Sequence, residues 1–207
     1  LKSLKAGKTQ PRTAYEHLLL ADTYYLDPSR ATFESALAAN TKAVELAPDH
    51  VISSAMLSVL HVDGYLAGLD GLTSDEFMLN KGYRIATETV RRFPDSADAN
   101  FAVCMAQFAR GRYDEACTRG QMAIDLNPDN VLIKSDYWFF RALHGDWDRA
   151  IAELDKVGQC STENLRHIEK IKAIDAYRVG KFETALDLFE QAYSPLDLLA
   201  NLHILMC

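Results

Sequence analysis

Six histidines (His17, His50, His61, His144, His167 and His203) and four cysteines are the residues of this chain best suited to hold a metal, attack a substrate or move a proton. Their spacing assembles none of these functions. A zinc site draws ligands from short fixed intervals, and neither an HExxH helix nor a CxxC pair occurs. No GxSxG elbow, no phosphate-cradling GxxxxGK and no GxGxxG is present. Cys104 and Cys117 fall in helical segments, Cys160 follows Gly158 in an expected turn, and Cys207 is terminal. They read as small core thiols, which suits a reducing compartment. A Cys104–Cys117 disulfide would need two closely facing helices. Asp63, Asp70, Asp75 and Glu76 lack the alternating ligand spacing of a calcium loop and read as a solvated connection. The chain is therefore expected to be non-enzymatic, with no catalytic residue, no metal and no cofactor.

What recurs is a phrase, and it fixes the elements. Gly111-Arg-Tyr113-Asp-Glu-Ala116 returns as Gly145-Asp-Trp147-Asp-Arg-Ala150 and as Gly180-Lys-Phe182-Glu-Thr-Ala185, at offsets of 34 residues (111 to 145) and 35 (145 to 180). A period near 34 marks stacked helix–turn–helix units. Each glycine ends a first helix where the chain needs a left-handed residue. Tyr113, Trp147 and Phe182 open the second helices and are expected to wedge between the pair. Ala116, Ala150 and Ala185, with Ala123 and Ala192 on the same helical face, let backbones approach. Pro48, Pro94 and Pro128 stop their helices.

At these residues the chain resembles the tetratricopeptide repeat family. The resemblance implies an all-α, right-handed superhelical solenoid of antiparallel helix pairs, in about five repeats. The units are 14–48, 51–94, 97–128, 131–157 and 166–193, and together with a short remainder they fill 14–195. Ala99, Cys104, Gly111, Tyr113, Ala116, Ala123 and Pro128 make 97–128 the best match, and Ala173, Phe189 and Ala192 support the last unit. Trp138 departs from the small residue the family places there. Phe33, Ala36 and Ala43 carry the first unit, whose first helix must end early because Pro28 falls in the turn; Ser29 or Thr32 can cap the next helix. The second unit is longer, 44 residues (51 to 94) against 32 (97 to 128), and its extra length reads as an inserted loop over 62–76, rich in glycine.

In such repeats the first helices line a concave groove. Projecting the family pattern places Tyr25, Phe101, Met105, Phe108, Phe139, Tyr177 and Arg178 towards it, with Asp22, Asp136 and Lys170 as polar companions. An aromatic and methionine stripe with few charges suits an apolar peptide or helix. The basic clamp that some family members use for chaperone C-termini is not implied, because its places hold Ala21, Tyr25, Met56, Asp98 and Ala102. Ala14-Tyr15-Glu-His-Leu-Leu-Leu and Thr32 ahead of Phe33-Glu-Ser-Ala36 look like the first repeat of bacterial winged-helix transcriptional regulators and adenylate cyclases. That resemblance implies the regulatory or sensory part of a larger signalling protein. The alternatives are a substrate-selecting array of an enzyme such as a glycosyltransferase, or a free-standing assembly adaptor.

Composition sets the partner class. A net charge of −7 speaks against nucleic acid and against anionic membrane. No apolar run is long enough to span a bilayer. The expected partners are a protein or peptide, in the cytoplasm. Residues 1–13 form a basic lead-in carrying Lys2, Lys5, Lys8 and Arg12, and 196–207 an apolar helix that is a cap or the start of a further repeat. Because terminal repeats need a polar outer face, an uncapped apolar end predicts a homodimer through that helix or through the groove.

Overall fold

Proline punctuation sets the helix boundaries. Three segments repeat one local design: Ala47-Pro48-Asp49-His50, Phe93-Pro94-Asp95-Ser96 and Asn127-Pro128-Asp129-Asn130. In each, the fourth amide donates to the first carbonyl, at 3.0, 3.2 and 3.1 Å. In each, the side chain of the fourth residue then accepts from an amide of the next helix's first turn: His50 from Ser53, Ser96 from Ala99, Asn130 from Ile133. Proline stops one helix, and the polar residue two positions on satisfies an orphan donor of the next.

The computed structural model describes residues 11–26, 29–68, 76–160 and 165–192. Residues 69–75 of the expected loop over 62–76, residues 1–10 of the lead-in over 1–13, and the terminal segment 196–207 lie outside the described residues. Among those described, all regular structure is α-helical. The chain divides into two compact units, Leu1–Arg112 and Tyr113–Cys207.

The first unit contains α1 (Ala14–Ala21), α2 (Thr23–Leu26), α3 (Arg30–Leu46), α4 (Val51–Leu66), α5 (Phe77–Arg92) and α6 (Ala97–Ala109). Thr13 and Glu16 form a capping box on α1, and Ser29 and Thr32 form one on α3, so the two candidate caps of α3 act together. The first helix does end before Pro28, broken at Asp22. α1 packs on α3, α3 on α4, and α4 on both α5 and α6. The core gathers Ala21, Tyr24, Phe33, Ala36 and Leu60, with Leu37, Met56 and Met78 against it. Two buried polar side chains are tied across helices: Asn40 donates to the Ser53 carbonyl at 3.0 Å, and Ser58 to the Gly82 carbonyl at 2.8 Å.

The helix α4 runs through Val62–Leu66, into the stretch expected to be loop. Packing explains it. A Cβ on Gly64 would lie 2.5 Å from Phe33 Cζ and 2.9 Å from Met78 Cε, so this glycine serves close approach inside a helix. The chain turns only at Gly68, whose φ is +60°. Gly64→Ala is expected to cost about 1–3 kcal/mol through overpacking, even after the gain in helix propensity. Urea denaturation against Gly68→Ala checks this. Equal, small losses in both would mean the Phe33 ring moves aside freely.

The second unit contains α7 (Tyr113–Leu126), α8 (Val131–Leu143), α9 (Trp147–Cys160), α10 (Leu165–Arg178) and α11 (Phe182–Ala192). α8 packs on α7, α9 and α10, α9 on α10, and α10 on α11. Its interior holds Tyr137, Leu154, Ile168, Ile171 and Ile174, together with the repeat alanines Ala150 and Ala185. Trp138, the departure from a small residue, is buried, with Tyr137 edge-on at 5.1 Å between ring centroids. Cys160 closes α9 rather than sitting in a turn, because Gly158 is accommodated within the helix.

Candidate functional site: the accessible face of the first helices

On α4 the buried positions are Ser53 to Ala55, Leu57, Ser58, Leu60 to Val62 and Gly64. What stays accessible up to Asp63 beyond Val51 is Ile52, Met56, Val59 and Asp63, residues spaced by four, three and four that fall on one face. Beside them stands Tyr25 of α2, 46% exposed. Its hydroxyl donates to Asp63 Oδ2 at 3.0 Å and lies 3.8 Å from Met56 Sδ. Two consecutive first-helix segments thus share an apolar strip ending in a carboxylate that a tyrosine orients. Here an expected site residue, Tyr25, meets half-buried neighbours on an accessible face.

The remaining expected site residues are placed as follows. Asp22 caps the C-terminus of α1 and is half-buried. Phe101 and Met105 are buried: α6 packs on both α4 and α5, and every residue from Ala99 to Gln107 is enclosed. Phe108, one turn later, is half-buried. In the second unit Phe139 is buried, its ring 6.1 Å from Phe140. Asp136, half-buried, is pushed up to about 7 because burial penalises its charge. Lys170 is half-buried on α10. Tyr177 is 54% exposed and meets Phe182 edge-on at 5.5 Å. Arg178 pairs with Asp175 at 2.7 Å and covers the Trp147 ring, 5.0 Å from its centroid. Met56 stands at one of the clamp places named above; Asp63, seven residues on and on the same helical face, lies in the stretch expected to be loop.

Of the aromatics that open the second helices, Tyr113 and Phe182 do not wedge into the interior, while Trp147 is half-buried. Tyr113 is 41% and Phe182 62% exposed. Instead, the end of a following first helix covers two of them. The His144 ring sits 5.0 Å from Tyr113, and the Arg178 guanidinium covers Trp147. A related contact occurs in the first unit, where Arg110 lies 4.0 Å from the centroid of Tyr83, six residues into α5. Arg110, His144 and Arg178 follow one another at intervals of 34 residues (110 to 144, 144 to 178). For the two arginines, a cation at a helix C-terminus is favoured by the dipole as well as by the ring.

A polar network in the second unit joins α7 to α8. Tyr137 donates to Gln121 Oε1 at 3.4 Å, and Arg141 donates to the Tyr137 hydroxyl at 3.2 Å and forms an ion pair with Asp146. Cys117 lies close enough to feel Arg141, and burial raises its thiol. Neither Cys104 nor Cys117 is in a disulfide. Among the described residues no group of three or more His, Cys, Asp or Glu side chains could hold a metal ion. No helix among them is long and apolar enough to cross a membrane.

No protein-family model matches the chain, and neither does any curated protein. Solved structures do. The chain is similar to TTC0263, described as a thermophilic TPR protein in Thermus thermophilus, at 18% identity and a TM-score of 0.62, over 94% of this chain and 98% of that one. It is also similar to a crystal structure of MamA, at 18% identity and a TM-score of 0.50, over 84% of this chain and 92% of that one. At such identities the likeness is one of architecture, and it agrees with the glycine-ended, proline-stopped helix pairs: the fold is the all-α fold of the tetratricopeptide repeat.

Proposed function

We propose that this chain is a non-enzymatic protein–protein interaction module whose first helices take an apolar peptide or helix of a partner. The observation that carries this reading is the strip of Ile52, Met56 and Val59 beside the exposed Tyr25. A methionine and an aromatic side by side adapt to varied apolar side chains at low entropic cost. Selection from a displayed random-peptide library, followed by calorimetry on the selected peptide, tests it. Val59→Asp together with Tyr25→Ala is expected to remove binding while the melting temperature stays within a few degrees. A library that yields no consensus, or binding that survives both changes, would refute the reading.

The setting we favour is the regulatory part of a larger bacterial signalling or transcription protein in the cytoplasm. The likeness of 14–94 to such repeats supports it, as do the cysteines Cys104 and Cys117, neither of them in a disulfide. Self-association through the C-terminal end is part of the same proposal. Phe182 and Leu186 stand one turn apart on α11, 62% and 59% exposed, an apolar pair facing out. Sedimentation velocity over a concentration series is expected to show a dimer that Leu186→Lys dissociates. A mass that stays monomeric at every concentration would dispose of this part.

A further inference from the structure

We propose that the groove between α3 and α5, the second helices of the first unit, docks an acidic segment of a protein partner, one that sets Asp or Glu beside apolar side chains. This is a second surface. It shares no residue with the strip of Ile52, Met56 and Val59 and does not rest on the reading of that strip.

The groove is shallow and open, with a volume of about 470 Å³. Leu37 and Ala38 give its α3 side apolar carbon. The Thr41 hydroxyl donates back to the Leu37 carbonyl at 2.7 Å, so what remains polar in the groove is ionic. Those charges are closed, with one exception. Glu34 pairs with Arg30 at 3.0 Å, and Glu45 with Lys42 at 2.8 Å. Lys81, half-buried on the α5 side, has no carboxylate within ion-pair distance among the described residues. A carboxylate that arrives beside apolar groups would neutralise that ammonium and cover the neighbouring carbon in one contact.

The open charge continues along α5. Phe77, Lys81, Arg84, Glu88 and Arg91 are spaced by four, three, four and three residues and share one face. Phe77 is 66% exposed, an aromatic anchor one turn ahead of Lys81. Glu88 is held by Arg91 at 2.7 Å, and Arg92 pairs with Asp49. Arg84 is exposed and, like Lys81, has no carboxylate at ion-pair distance among the described residues. Arg110 adds a third base, laid over the ring of Tyr83, the chain neighbour of Arg84. In a chain of net charge −7, this face therefore holds cations that the first unit leaves unneutralised. Opposite charge in a partner steers encounter and fixes docking. A phosphate backbone fits the face less well, because three bases interrupted by Glu88 and Asp49 offer few phosphate contacts within an acidic protein.

The test uses the full chain and three fluorescein-labelled peptides of one length, alternating Leu/Glu, Leu/Gln and Leu/Lys, with a labelled oligothymidine as a second polyanion. Fluorescence anisotropy is expected to rank Leu/Glu first. Its affinity should fall about tenfold in Lys81→Glu combined with Arg84→Glu, and also when salt is raised from about 0.05 M to about 0.5 M. Ala38→Glu, an exposed change on α3 that keeps both bases, should weaken it as well. Lys156→Glu combined with Lys181→Glu alters net charge equally in the second unit and should lose little. Circular dichroism confirms that each variant is folded. Equal binding of Leu/Glu and Leu/Gln would overturn the inference. Equal losses in the two double variants would reduce the effect to net charge and overturn it too. Loss in Val59→Asp with Tyr25→Ala, and none in the groove variants, would seat the peptide on the first helices instead. Oligothymidine bound more tightly than Leu/Glu would assign the bases to nucleic acid, against a protein partner. If none of the probes binds, this inference falls, and the first-helix reading stands or falls by its own peptide selection.

Discussion

Ala150→Asp is expected to cost about 4 kcal/mol and to lower the melting temperature by well over ten degrees. Ala150 is fully enclosed on α9, which packs on both α8 and α10. It recurs as Ala116 and Ala185, each 2% exposed, so the same small residue is used wherever a second helix meets its neighbours. A carboxylate there would be stripped of water, and the larger side chain would force the helices apart. Ala152→Asp on the exposed side of the same helix is the control, expected within about 0.5 kcal/mol of the parent. Thermal melts followed by circular dichroism decide it. If the two variants melt alike, the repeat alanines are not the contact points between helices.

The repeat was legible because backbone and packing demands coincide at few residue types. Gly111, Gly145 and Gly180 have φ of +71°, +106° and +81°, values that glycine alone adopts cheaply, and α7, α9 and α11 begin at the aromatics two residues on. The turns between repeats were equally regular, yet only their prolines were read. The Pro-Asp-cap sequence shared by 47–50, 93–96 and 127–130 announces both the stop and the following start. The aromatics were correctly placed along the chain but not in depth. Whether a ring at a helix start points inward depends on what the next repeat puts over it, and His144 and Arg178 lie about thirty residues beyond Tyr113 and Trp147.

The binding face was harder to see than the fold, for a related reason. A family pattern tells which helix belongs to the first position of each pair, whereas the accessible side of that helix is set by its neighbours. On α6 the enclosure is complete from Ala99 to Gln107, which takes in Phe101 and Met105; on α4 one stripe is left open, and it contains Met56 and Asp63. Gly64 hid the second of these. Lack of a Cβ serves a turn and a tight helix contact equally, so a glycine next to Asp63 suggested a loop where the helix in fact continues under Phe33.

The stability of the second unit is expected to fall as pH rises from about 4 to about 7, because of Asp136. Burial raises its carboxyl from an ordinary 3.8 to about 7. Below about 4 the group is protonated both folded and unfolded. Between those values the unfolded chain releases a proton that the folded chain keeps, so ionisation favours unfolding; above about 7 the loss is complete. Three pH units of displacement correspond to at most about 4 kcal/mol, and less in practice because Asp136 is only half-buried. His61 acts in the opposite sense. Enclosed on α4, with Nε2 given no hydrogen-bond partner, it is lowered to about 4, first by burial and then by Lys81. Its stabilising effect is therefore present above about 6.5 and is lost as pH falls towards 4. A bare pH profile would mix the two, but a difference profile would not. Asp136→Asn removes one titration and leaves His61 in both proteins. The stability of the variant minus that of the parent, from urea denaturation, should be near zero at pH 4 and climb to a plateau near pH 7. A flat difference across that range would mean that the Asp136 carboxylate is charged in the folded protein and compensated by its surroundings.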